Sequence, residues 1–367
     1  MMQPEELLRK YFGHTQFHSG QQRAIDAILA GRDVLAIMPT GAGKSVCYQI
    51  TALLLKGITL VISPLISLMK DQVESLHQVG ISAAFVNSSI SSEEYDSTMR
   101  SVVSGAYKIL YVAPERLMTW GFLQLTQKVK ISMIAVDEAH CVSQWGQDFR
   151  QSYQNIATFI AHLSCRPICA AFTATATLQV KQDIVKLLEL QNPVTVKTGF
   201  DRKNLYFGVR YSNRRKKDLL EILNDNPDKS GIIYCTTRKN VEEVCEFLCT
   251  NHFSATRYHA GLSDLERARN QEDFLYDRKP IMVATNAFGM GIDKSNVSFV
   301  IHYNMPKDLE SYYQEAGRAG RDGTPAQCIL LYHGQDVKLN EFLLEQRSHW
   351  SNPSDSNRDR SDSASSG

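Results

Sequence analysis

No charge of one sign dominates this chain: 40 Lys and Arg stand against 39 Asp and Glu among 367 residues, for a formal net charge of +1. A global field that would gather nucleic acid or an anionic surface is therefore absent, and any basic surface must be local. Long apolar runs are also missing, so no segment reaches the roughly 20 residues that a membrane-spanning helix needs. The opening Met-Met-Gln-Pro-Glu-Glu has neither the basic nor the apolar part of a leader. These absences predict a protein of the cytoplasm, in the cytosol or nucleoid, with no membrane partner. The 8 cysteines include no Cys-x-x-Cys pair. Cys165 with Cys169 and Cys245 with Cys249 could each share a helix face, yet no second pair of suitable spacing completes a zinc site, so reduced, buried thiols and no zinc are expected. No repeat of solenoid length is present. With 43% hydrophobic and 22% charged residues, the composition suits a globular chain of about two domains.

What is there is concentrated in a few short strings. Residues 38–45 read Met-Pro-Thr-Gly-Ala-Gly-Lys-Ser, after the apolar run Val34 to Ile37 and before a helix-compatible stretch. Glycines at a strand-to-helix turn let successive backbone N–H groups point at phosphates. Thr40, Gly41, Ala42 and Gly43 would form that cradle, Lys44 would reach the β and γ phosphates, and Ser45 would hold magnesium. The motif departs from its usual form at Met38, where a first glycine is expected. Further on, Val136-Asp137-Glu138-Ala139-His140 ends a second apolar run. Asp137 can serve magnesium, and Glu138 can orient or deprotonate an attacking water. An acidic pair after a strand is ordinarily mere surface; its pairing, in order, with a phosphate loop argues for nucleotide hydrolysis.

Strand-like runs at Val34–Ile37, Thr59–Ile62, Ala83–Val86, Lys108–Val112, Ile131–Val136 and Ile168–Phe172 alternate with helical patterns, which implies parallel strands covered on both faces. The segment Gln191–Asn204 matches no regular element well and marks a boundary. A second series follows at Gly231–Tyr234, Ala255–Tyr258, Ile281–Ala284, Phe299–His302 and Cys328–Tyr332. The fold class expected is α/β, with lobe 1 over residues 1–201 and lobe 2 over 202–348. The Ser- and Asp-rich segment 349–367 has too few apolar groups to offset the entropy of ordering. In lobe 2, Arg318 and Arg321 stand three apart in Glu-Ala-Gly-Arg-Ala-Gly-Arg, a spacing that would put both on one helical face, suited to γ-phosphate charge. The string Ala284 to Asp293 could contact nucleic-acid phosphates and a nucleotide ribose, or form a tight structural turn.

Together, Gln21, Pro-Thr-Gly-Ala-Gly-Lys-Ser, Asp-Glu-Ala-His, Thr-Ala-Thr and Gln-Glu-Ala-Gly-Arg-Ala-Gly-Arg resemble a superfamily 2 helicase. The string Cys141-Val142-Ser143-Gln144-Trp145-Gly146-Gln147-Asp148-Phe149-Arg150 resembles the RecQ DNA helicases in particular. The resemblance runs from about Leu7 to Tyr332. It implies two tandem RecA-like lobes with ATP in the interlobe cleft, magnesium as cofactor, and 3′ to 5′ translocation on single-stranded DNA with unwinding of tailed or forked duplexes. It implies roles too. Gln21 would read adenine, while Arg318 and Arg321 would contact the γ-phosphate, Arg321 as the finger. Thr173 and Thr175 would couple the lobes, and Trp145, Phe149 and Arg150 would sense DNA, bases stacking on aromatic faces at roughly 1–3 kcal/mol each. Two core-facing aromatics four apart are the plainer alternative for Trp145 and Phe149.

The chain departs from the family at His14, His18 and Gln147, where aromatic, arginine and histidine side chains are usual. It also stops where relatives continue into a four-cysteine zinc module and a winged helix. The expectation is a monomeric core that binds no zinc. An RNA-directed helicase and a DNA-binding ATPase with little unwinding are the competing readings, and the 141–150 loop argues against the first.

Overall fold

The computed structural model describes residues 2–18, 20–146, 149–199, 201–288, 294–338 and 340–341. Gln147, the Gly289–Asp293 part of the second-lobe motif and the Ser- and Asp-rich segment 349–367 lie outside the described residues. The chain forms two compact units, one built on Met1–Lys203 and the other on Asn204–Phe288 with Ser295 onward.

The first unit carries β1 (Val34–Ile37), β2 (Ile58–Ile62), β3 (Ala83–Val86), β4 (Ile109–Val112), β5 (Ile131–Val136), β6 (Ile168–Thr173) and β7 (Val194–Lys197). They lie in the order β3-β4-β2-β5-β6-β1-β7, and every pairing among them is parallel. Successive side chains of a strand point to opposite faces. Leu35, Ile37, Leu60, Ile62, Ile134 and Val136 accordingly enter one apolar cluster, and Val34, Ala36, Val61, Met133 and Ala135 enter another. Both faces are covered, which is why these strands read as continuous apolar runs. Asp33, buried just before β1, accepts hydrogen bonds from Arg166, from Cys169 N at 2.9 Å and from Gln191 N at 2.7 Å. One carboxylate thus fixes the starts of β1 and β6 and the turn into β7.

The second unit repeats the plan with β8 (Leu205–Tyr211), β9 (Ser230–Tyr234), β10 (Ala255–Tyr258), β11 (Ile281–Ala284), β12 (Val297–His302) and β13 (Ala326–Tyr332), in the order β10-β11-β9-β12-β13-β8 and again parallel throughout. Two strands correct the sequence reading. β7 lies inside the segment that matches no regular element well, and β8 has no counterpart among the strand-like runs. Both are sheet edges. β8 leaves Tyr206, Phe207, Val209 and Tyr211 exposed, so neither strand presents the unbroken buried run that marks the others. Among the described residues, no helix is long and apolar enough to cross a membrane.

Candidate functional site

In the order β5-β6-β1, three neighbouring strands of the first unit end side by side, and each ends in one of the motifs. The carboxyl edge of a parallel sheet is where such folds bind ligands. After β1 the backbone turns left-handed at Gly41 (φ +83°) and Gly43 (φ +70°), and Gly43 caps the helix Lys44–Leu54. Only glycine adopts this region at no steric cost. A Cβ at Gly43 would also lie 2.3 Å from the Gln21 amide nitrogen. That amide is buried and donates to Ala42 O (3.1 Å) and Gly43 O (3.0 Å), while its oxygen accepts from His18 N (2.7 Å). Gln21 was expected to face an adenine. Here its amide clasps the phosphate loop. Lys44 Nζ donates to Met38 O at 3.2 Å, and Arg202, in the segment read only as a boundary, donates to Thr40 O at 3.0 Å. Sequence reasoning missed Arg202, because nothing local ties it to a loop 162 residues earlier.

Beyond β5, Asp137 is buried and its Oδ1 accepts the Glu138 N–H at 3.0 Å. Burial, then the neighbouring Glu138 charge, raise the Asp137 carboxyl to about 7, against the pull of Lys44. Glu138 holds a left-handed backbone (φ 47°, ψ 48°), a conformation that costs a non-glycine residue of order 1 kcal/mol or more and that clusters at functional sites. Its Oε2 is buried with no hydrogen-bond partner. A buried carboxylate raised in this way and a second with an unmet oxygen fit a hydrated divalent cation, with Ser45, the second residue of the Lys44–Leu54 helix, beside the phosphate loop as the further oxygen. Thr173, ending β6 between the two motifs, donates to Thr175 O at 2.8 Å and so accepts from His140 Nδ1 at 3.0 Å. His140 Nδ1 in turn lies 3.4 Å from that same Glu138 Oε2, a charge contact that leaves the oxygen without a hydrogen bond. The Met38 N–H bonds Thr173 O at 3.0 Å, which joins the ends of β1 and β6.

Residues 141–146 turn back on the backbone of His140 and Ser143. A Cβ at Gly146 would meet His140 O at 2.1 Å, so the turn requires glycine. Ser143 Oγ donates to Asp183 (2.6 Å) and accepts from Trp145 N (3.1 Å). The Trp145 ring is 74% exposed, which removes the core-packing alternative for it; Phe149 is 36% exposed. Arg150, expected to add a phosphate contact, donates through Nη1 to Pro64 O at 2.6 Å. It tethers the loop to the end of β2.

In the second unit, the helix Leu309–Ala316 ends at Gly317, so Arg318 and Arg321 lie in turns rather than on one helical face as their spacing predicted. Arg318 is buried, and its charge pulls against the rise that burial imposes on the Tyr234 phenol. Arg321 is more open. The turn is locked by Asn204, whose Nδ2 donates to Gly320 O and Thr324 O, both at 2.8 Å.

Comparison with known proteins places this geometry among helicases. Residues 18–184 match the DEAD/DEAH box helicase family, and 214–323 match the helicase conserved C-terminal domain. The chain is 49% identical over 346 residues to ATP-dependent DNA helicase RecQ of Bacillus subtilis, covering 94% of this chain and 58% of that protein. It is 39% identical to the probable ATP-dependent DNA helicase RecS of the same species, covering 95% of this chain and 70% of that one. The chain spans a little over half the length of the RecQ relatives it matches. In fold it resembles S. cerevisiae Dbp5 bound to RNA and ADP BeF3, with a TM-score of 0.72 and 19% identity, covering 93% of this chain and 90% of that one.

Proposed function

Because the chain belongs to the RecQ family of superfamily 2 helicases, we propose that it is an ATP-dependent DNA helicase, which hydrolyses ATP with magnesium while moving 3′ to 5′ on single-stranded DNA and opens tailed or forked duplexes. Recombination and repair in the cytoplasm are the setting that fits this activity. One observation carries the reading: the phosphate loop, Thr173 and the Asp137–Glu138 pair leave adjacent strands β1, β6 and β5 at one sheet edge. In this reading the loop amides of Thr40 to Gly43 and the Lys44 ammonium hold the phosphates. Ser45 and Asp137 hold the magnesium, which when bound neutralises phosphate charge. Glu138 takes the proton of the attacking water through its unmet Oε2. Gln21 releases the loop to read adenine. From the second unit, Arg321 supplies charge to the γ-phosphate as it leaves, and Arg318 sits behind it. Trp145 and Phe149 offer exposed faces on which bases stack, and Gly146 carries the loop's position straight to the backbone of His140.

The experiment is an ATPase titration with single-stranded DNA and, separately, RNA, beside strand displacement on 3′- and 5′-tailed duplexes, with Lys44→Ala as the control. Stimulation by DNA and opening of the 3′-tailed substrate support the reading. Stronger stimulation by RNA would make it an RNA helicase. Hydrolysis stimulated by DNA without displacement would make it a DNA-binding ATPase with little unwinding.

A further inference from the structure

The chain leaves the first unit at Lys203 and enters the second at Asn204. On either side of that step stands a side chain that grips a loop of its own unit. Beyond β7, the Thr198 N–H bonds Ile37 O at 3.2 Å, which keeps the chain beside the end of β1, where the phosphate loop begins. Arg202 Nη1 then donates to Thr40 O at 3.0 Å. The Thr40–Gly41 peptide is trans and planar, so its N–H points away from its C=O. A guanidinium that holds the carbonyl from one side therefore sets the direction of the Gly41 N–H on the other.

Asn204 does the same for the arginine turn. Its Nδ2 donates to Gly320 O and Thr324 O, both at 2.8 Å, and its backbone carbonyl accepts the Ala326 N–H at 2.9 Å. A Cβ at Gly320 would lie 2.5 Å from that amide nitrogen and 2.7 Å from Thr324 O, so the turn is shaped around the Asn204 side chain. The Gly320 N–H bonds Val297 O at 2.8 Å, which ties the turn to the start of β12. Arg321 follows Gly320 directly in the chain. The placement of that arginine's backbone is thus set by the grip of Asn204.

We infer that Arg202 and Asn204 are a pair of positioning residues for ATP hydrolysis: the first orients the phosphate loop, the second orients the arginine turn, and the short chain between them makes each placement depend on the other. This rests on the function proposed above, in which the loop amides hold the phosphates and Arg321 acts on the γ-phosphate. Only Lys203 separates the two residues, and two steps of chain span at most about 7 Å. Neither grip can shift far without pulling on the other. A phosphate that draws the Gly41 N–H toward itself turns the Thr40 carbonyl, and Arg202 must follow or lose its acceptor. The pull passes through Lys203 to Asn204 and to the turn that carries Arg321. Misplacement of a catalytic group by about 1 Å is enough to lower turnover by about 10²-fold.

The test inserts two glycines after Lys203 in the full chain, which leaves every residue of both grips in place and adds up to about 7 Å of slack between them. The same insertion is made in Arg202→Ala. Magnesium-dependent ATP hydrolysis with a saturating oligothymidylate, affinity for a non-hydrolysable ATP analogue and the thermal midpoint are measured for each. In the otherwise unchanged chain the insertion should lower kcat by about tenfold or more, with analogue affinity and thermal midpoint unchanged. Arg202→Ala alone should lower kcat as far and weaken analogue affinity by about fivefold or more. The insertion should then cost that variant nothing further, because a link released at one end transmits nothing. Asn204→Asp, which keeps the side-chain volume and loses both donors, should lower kcat at unchanged analogue affinity. A wild-type kcat after insertion, an equal further fall in the Arg202→Ala background, or an Asn204→Asp loss that lies in affinity would each overturn the inference. Should the insertion lower the thermal midpoint, Arg202→Ala with Asn204→Asp decides: kcat losses that multiply strictly overturn the inference, and losses that do not multiply support it. A wild-type protein with no such hydrolysis would instead overturn the proposed function and this inference with it, a result distinguishable because it needs no variant.

Discussion

Asp137→Asn should make the metal-free protein more stable at pH 8 while it abolishes ATP hydrolysis. The carboxyl is raised to about 7 by burial and by Glu138. In the unfolded chain the same group titrates near the ordinary aspartate value of about 4. Below pH 4 it is protonated in both states and the site carries no electrostatic penalty. As pH rises from 4 to 7 the unfolded chain gives up this proton more readily than the folded one, so stability falls, and the loss is complete above the folded value. The gap of about three pH units corresponds to about 4 kcal/mol, at 1.36 kcal/mol per unit. For a unit of this size, 1 kcal/mol moves the thermal midpoint by roughly 2–4 °C, so Asp137→Asn should melt on the order of 10 °C higher than wild type at pH 8. At pH 4 the two should coincide, since the aspartate is then a neutral isostere of the amide. The assay is thermal unfolding in a chelator from pH 4 to 8, with the slope of stability against pH as the readout. A variant that melts at or below wild type at pH 8, or a difference that does not shrink on acidification, would refute the reasoning.

Glu138→Gln should bind ATP with near wild-type affinity and fail to hydrolyse it, since the amide cannot accept the water's proton; equal loss of binding and turnover would reassign the residue. Arg321→Ala should lower kcat by about 10³–10⁵-fold with little change in nucleotide affinity, as read by equilibrium titration of a nucleotide analogue. Trp145→Ala should keep basal hydrolysis and lose most of its stimulation by single-stranded DNA, and stimulation that survives would show that this exposed ring does not sense DNA. Gly146→Ala should have a similar effect through geometry alone, because its Cβ would lie 2.1 Å from His140 O and the loop must lift from that backbone.

The parts of this protein legible from its sequence are those written in contiguous letters. The phosphate loop and the Asp-Glu-Ala-His string each follow a strand buried on both faces, and such strands announce themselves as unbroken apolar runs. The edge strands Val194–Lys197 and Leu205–Tyr211 do not, because an edge half exposed to water tolerates a mixed pattern. Side-chain commitments were least legible. Nothing within a few residues of Gln21 says that its amide will be bonded to Ala42 and Gly43, or that Arg202 will reach Thr40. The two arginines of the 318–321 turn look equivalent in sequence, yet one is buried and the other is more open. That difference arises where the Leu309–Ala316 helix stops, and the turn beyond it is held by Asn204, at the start of the unit's chain.

The clasp on the phosphate loop has a kinetic meaning. Two hydrogen bonds from Gln21 and one from Lys44 already satisfy carbonyls of the 38–43 segment. A nucleotide that recruits both side chains exchanges these internal bonds for its own, so each new contact adds only the difference between the two sets. ATP regains the most, because its γ-phosphate takes the full charge of the ammonium. ADP regains less, and the same internal bonds compete with it from the moment the γ-phosphate departs. In the function proposed above, this exchange favours short product residence, which suits a protein that takes many steps along one strand.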